Sequence, residues 1–195
     1  MEILATLGRT LGFSLAAGVN LYATVAVLGL ASRYQWVQLP EQFAAFDNPW
    51  VIGAAAVLYV IEFVADKIPW VDSIWDSVHT IIRPVGGALI AVAALGDTSP
   101  AITALIALLG GVTAAGSHMT KAGTRVAVNT SPEPFTNWFI SLIEDVFVIG
   151  LSLFTLKFPL LALFVSLAIV VMIVWVARKI WRWLKPTPAA DPRIL

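Results

Sequence analysis

The sequence predicts an all-α, polytopic transmembrane helical bundle of about six spans. Three observations carry this. Hydrophobic residues make up 59% of the 195 residues and charged ones only 12%, against about 25% charged in soluble domains. Several apolar runs approach the roughly 20 residues that a helix needs to cross a bilayer core. No stretch shows the alternating period of a membrane β-barrel strand.

The first run, 11–31, follows Arg9 and resembles a signal peptide. It is too long for a signal core and lacks a small-residue cleavage pattern, so it reads as a retained first span. A polar stretch with Pro40 and Pro49 separates it from the second run, 50–65. The third apolar core, 84–96, is too short at about 1.5 Å per residue for a core about 30 Å thick. Extended back to 71, it reaches span length as a helix kinked at Pro84, or as a re-entrant helix near Trp70–Pro84. The fourth core, 101–116, extends likewise to 128. Spans 135–156 and 158–177 complete the set. Residues 1–185 form a single transmembrane domain and 186–195 a short cytoplasmic tail. The runs 50–96 and 101–156 both read span, polar proline-bearing stretch, span. An internal repeat is one reading of that pattern, common among transporters.

With six spans and the N-terminus inside, Lys and Arg divide ten against two. Inside lie Arg9, Lys67, Arg83, Lys121, Arg125, Arg178, Lys179, Arg182, Lys185 and Arg193; outside lie Arg33 and Lys157. The positive-inside rule then puts both termini in the cytoplasm. The tail "ARKIWRWLKP" fits an interface of tryptophans and bases. Net charge is zero, which gives no support for nucleic-acid binding. Without cysteine there is no disulfide or thiolate chemistry.

The polar residues are patterned. Asp72, Asp76, His79 and Arg83 are spaced i, i+4, i+7, i+11, one stripe of a helix. His118, Lys121 and Arg125 form a second stripe, so an acidic face and a basic face are expected to pair across two spans. Glu62 and Asp66, with Lys67, end the second span. Glu144 and Asp145 lie mid-way along the fifth, and Asn20 with Thr24 forms a polar pair in the first. In "NTSPEPFTN" the prolines suit a rigid turn into a helix start, with Thr136 or Asn137 as cap; Asn129, Glu133 and Asn137 are its candidate binding groups. Ionisable groups inside membrane spans are costly, which makes this set a candidate charge network around a cytoplasm-facing polar cavity. The competing reading places the same charges in surface loops. For Asn20, a plain helix–helix hydrogen bond is the favoured reading.

Asp72, Asp76, His79 and His118 would also make an oxygen and nitrogen ligand set for a divalent ion, but a weak one, with Arg83, Lys121 and Arg125 close by. Those bases suit an anion or lipid phosphate better. Paired glycines, Gly86 with Gly87 and Gly110 with Gly111, read as close helix packing.

The strings "LYVIEFVADKIPWVDSIWDSVHTIIRPVGGAL", "GSHMTKAGTRVAVNTSPEP" and "SLIEDV" resemble a family of bacterial membrane proteins defined only as a domain of unknown function, DUF4126. The resemblance reaches to about residue 156 and implies a polytopic inner-membrane protein. It brings no substrate, cofactor or catalytic role. The expected partners are membrane lipids and a small ion, anion or lipid headgroup, and a homodimer fits the size. A transporter or channel for an ion or anionic solute leads the readings. A flippase for a phosphate-bearing lipid stands beside it, and a structural subunit remains open. An enzyme is the weaker reading, since neither HExxH nor GxSxG occurs.

Overall fold

A computed structural model describes residues 2–129 and 134–184. All the regular structure in them is helical. The elements are α1 (Glu2–Val19), α2 (Leu21–Arg33), a 3-10 helix (Glu41–Asp47), α3 (Pro49–Ala65), α4 (Pro69–Leu95), α5 (Pro100–Asn129), α6 (Pro134–Lys157) and α7 (Pro159–Leu184). Five of these helices begin at proline. At the first helical position its missing N–H costs nothing and its fixed φ suits the helix. Asn48 caps α3 by accepting from the Trp50 N–H at 2.8 Å. Gly96, at φ 77°, ends α4 in a conformation that side chains disfavour.

Four helices, α4 to α7, are long and apolar enough to cross a membrane. The 17-residue α3 makes a fifth only when joined to the 3-10 helix, at a bend of 64°. The six-span expectation fails at its first element. Run 11–31 is not one helix: α1 stops at Val19, Asn20 takes an extended conformation, and α2 starts at Leu21. The Asn20 side chain accepts from the Ala23 N–H at 2.9 Å, which caps α2.

The two pieces fold back on each other. Phe13 of α1 and Phe43, beyond α2, meet with ring centroids 5.9 Å apart. Leu28 and Ala31 of α2 share their apolar cluster. Glu2, Thr6 and Arg9 line a cleft together with Gln38, Gln42, Ala94 and Asp97. Pro159, at the start of α7, lies against Gly8. The start of α1, the connection after α2, the end of α4 and the start of α7 thus share one end of the bundle, here the Glu2 end. At 13 residues, α2 is about 20 Å long and cannot cross a core about 30 Å thick. α1 and α2 therefore form a hairpin whose tip, Asn20, lies buried inside the bundle.

Of the two forms expected near Trp70–Pro84, the structure has the single helix extended back past residue 71. α4 runs unbroken through Pro84. α7 leads away from Gly8 and passes Gly116, Thr120 and Thr124 of α5 with Ile173, Val176 and Ile180. It ends at the opposite, Arg182 end. The first and last described residues thus lie at opposite ends of the bundle.

α1 is the axis of the fold and packs on α4, α5, α6 and α7. Ser14 donates to the Gly87 carbonyl at 3.2 Å, and Ser117 donates to the Leu15 carbonyl at 2.8 Å. A Cβ on Gly18 would come within 2.3 Å of the Ala114 carbonyl oxygen. Glycine there lets the hairpin tip lie directly on α5. Outward faces carry Ile74, Val85, Leu105, Leu142 and Val171, as a lipid-facing surface requires.

Candidate functional site

Below the hairpin tip the polar stripes converge. Asp72, Asp76, His79 and Arg83 are all buried on one face of α4, and His118, Lys121 and Arg125 on one face of α5. The periodicity read from the sequence is thus realised. The charges stack in three layers, each built around a cation.

Arg83 anchors the first. Its guanidinium donates to Glu62 Oε1 at 2.8 Å and to His118 Nδ1 at 2.6 Å, and reaches the Gly18 carbonyl at 3.5 Å. Asp76 Oδ1 lies 3.2 Å away. An arginine cannot accept, so His118 Nδ1 carries no proton and its Nε2–H donates to Thr80 Oγ1 at 3.1 Å. Thr80 passes its own proton to the Asp76 carbonyl at 3.0 Å. Both ends of the imidazole are fixed, and with them its tautomer. Lys121 centres the second layer, 2.8 Å from Asp66, 3.4 Å from Glu62 and 3.8 Å from Glu144. Arg125 centres the third. It donates to Glu144 Oε2 at 2.8 Å and to Asp66 Oδ2 at 3.2 Å, bonds the Asn137 side chain, and lies 3.9 Å from Asp72. Asn129 closes the layer by donating to Asp72 at 2.8 Å.

Two branches extend from this stack. His79 Nδ1–H donates to the Trp75 carbonyl at 2.7 Å, which leaves Nε2 to accept from the Tyr22 hydroxyl at 2.9 Å. Trp75 stacks on the ring at 4.6 Å. Asn20 meets Asp145 at 3.5 Å, so the hairpin tip touches α6 as well. Lys67 lies at the edge, bonded to Ser141 and the Phe63 carbonyl.

Several expectations need correction. The acidic stripe of α4 does not simply face the basic stripe of α5. Asp76 pairs with Arg83 of its own helix, and the α5 bases take their carboxylates chiefly from α3 and α6. No metal set forms: among the described residues no group of three or more His, Asp or Glu is placed to hold an ion. The reason is visible at Arg83, which sits between Asp76 and His118. α6 starts at Pro134, so Asn137 and Thr136 lie inside its first turns rather than capping it, and Asn137 serves Arg125. Asn20 caps a helix as well as bonding across to α6. Glu133 lies outside the described residues.

Sequence reasoning missed Tyr22, Thr80 and Ser141. Nothing in the apolar run around Tyr22 marks it. One signal was readable: "PWVD" (69–72) and "PFTN" (134–137) open α4 and α6 with proline, aromatic, one residue, then Asp or Asn. Those two polar residues take hold of Arg125 from either side.

The charge balance is unequal. Glu62, Asp66, Asp72, Asp76 and Asp145 are buried, with Glu144 slightly exposed, against buried Arg83, Lys121 and Arg125, with Lys67 half-buried at the edge. Glu62 Oε2, Asp66 Oδ1, Asp72 Oδ1, Asp145 Oδ2 and both oxygens of Asp76 accept no hydrogen bond from the protein. Arg83 Nε, Asn137 Nδ2 and Trp75 Nε1 are donors left over in the same region, so spare acceptors outnumber spare donors there. A crevice of about 290 Å³ reaches the network sideways, between α5, α6 and α7, and ends on Lys121 and Glu144.

No curated protein matches the chain, and neither does any solved structure. A helical membrane-type bundle with this buried charge stack is what one family model covers, over residues 7–179, and the chain belongs to that family, the domain of unknown function DUF4126.

Proposed function

We propose that the protein is a small transporter of the bacterial inner membrane in which protons move through the buried charge stack. The carrying observation is the surplus of carboxylates over cations at the tip of the α1–α2 hairpin. An uncompensated carboxylate inside a membrane protein is costly, and a proton is the smallest partner that removes the cost. The surplus favours a proton or cation over the anionic solute that the basic stripe suggested. Each buried base already holds at least two carboxylates. Interrupted helices at mid-depth are also where transporters place their sites. The Arg182 end carries Lys67, Arg178, Lys179 and Arg182, and the Glu2 end Arg9, Arg33 and Lys157. By the positive-inside rule the Arg182 end faces the cytoplasm, with the network in that half.

The test is purified protein in liposomes holding a pH-sensitive dye, under an imposed membrane potential. Proton movement is followed with the protein alone and with sodium, phosphate or an alkylamine present. The reading expects flux above protein-free liposomes in at least one condition, and its loss in Asp76→Asn. Wild type that matches empty liposomes in every condition sinks it and leaves the charges as structural cross-links.

A further inference from the structure

The sideways crevice carries a second deduction. Its walls are Val19, Ile143, Phe147, Ile169, Met172 and Ile173. Its floor is Lys121 and Glu144, edged by hydroxyls of Ser117, Thr120 and Thr124. An apolar channel with a charged floor, opening between lipid-facing helices, takes an amphiphile whose chain lies along the walls and whose head reaches the floor.

The sign of that head follows from what the floor lacks. Lys121 is held by Glu62, Asp66 and Glu144, all within 3.8 Å, so a bound anion would have to displace a carboxylate. Directly behind the floor, Asp66 is buried and its Oδ1 accepts no hydrogen bond. Glu144 is the network carboxylate with exposure to the crevice, its side chain 15% accessible. Glu144 Oε2 is already taken by Arg125 at 2.8 Å, so Glu144 Oε1 and Asp66 Oδ1 are the oxygens that an N–H donor bringing positive charge can serve.

We infer that the crevice between α5, α6 and α7 binds a single-chain amphiphile with a primary ammonium head, entering from the bilayer and pairing with Glu144. This names the substrate class for the transport reading and rests on that reading only for the transport step.

The experiment uses the full chain in phosphatidylcholine nanodiscs titrated with dodecylammonium, with dodecyl phosphate as the anion of matching chain. Protein-free discs give the partitioning background. Saturable, stoichiometric binding of dodecylammonium above that background is expected, with none for dodecyl phosphate. Glu144→Gln should weaken it by about tenfold or more. Met172→Trp should do the same from the mouth of the crevice, where Met172 is exposed and makes no network contact. Thermal unfolding of each variant accompanies the titration; if Glu144→Gln does not fold, Met172→Trp decides. Equal binding of dodecyl phosphate overturns the inference, as does unchanged affinity in Met172→Trp. So does a wild type no different from empty discs, which means ordinary acyl chains fill the crevice. Displacement by phosphatidylethanolamine at parity overturns the single-chain assignment. Dodecylammonium binding without proton flux keeps this site and removes the transport reading; proton flux without binding does the reverse.

Discussion

Arg83 shows how much one side chain can decide. It is wholly buried and bonded to Glu62, His118 and the end of α1. Removing one member of a buried pair strands the other, at a cost of about 3–5 kcal/mol. Glu62→Gln is thus expected to lower the unfolding midpoint of the purified protein sharply, with Arg83→Gln in the same background restoring part of it. A double variant no better than the single one would show that the pair is not the unit. Gly18 gives a steric counterpart. Gly18→Val meets the Ala114 carbonyl, whereas Gly53 faces open space and Gly53→Val should be tolerated. Comparing yield and unfolding of the two variants checks this. At this scale the stripe on α4 was fully legible, because four polar residues at helical spacing define a face whatever surrounds it. Their partners were not. Which carboxylate reaches Lys121 depends on where α3 and α6 dock, and that is fixed by packing far along the chain.

Among the elements, the α1–α2 hairpin departs most from its sequence. Residues 11–31 read as one apolar span because hydropathy registers composition, not direction. The break rests on Asn20, whose side chain serves the new helix in place of the old one. Asn20→Ala removes that cap, worth about 1 kcal/mol. The variant should unfold at a lower midpoint, and Asn20→Ser, which keeps a capping oxygen without setting a second carboxylate against Asp145, should retain more of the cap. If Asn20→Ala matches wild type, the turn is held by packing alone. α4, in contrast, has the extent that the shortness of its apolar core required. Its proline invited a break, yet flanking contacts to α1 and α5 keep it continuous.

For the whole molecule, the error in the charge tally is physical. Three of the bases counted as cytoplasmic loop charges, Arg83, Lys121 and Arg125, are buried in the stack, and Arg9 lies at the other end. Without them the remaining bases favour the Arg182 end as the cytoplasmic one, which is the orientation proposed above. Because the chain has no cysteine, single replacements report cleanly. Ser99→Cys and Thr6→Cys should both react with a membrane-impermeant maleimide in intact cells. Lys179→Cys should react only after permeabilisation. Labelling of Thr6→Cys and Lys179→Cys from the same side would restore the six-crossing topology.

Both arms of the hairpin return to the same end of the bundle. A sliding plug needs that property: displacement along the bundle axis drags no hydrophilic connection through lipid. Asn20 and Gly18, which meet Asp145 and Arg83 at its apex, would be withdrawn together by such a stroke, uncorking the acids towards the far side.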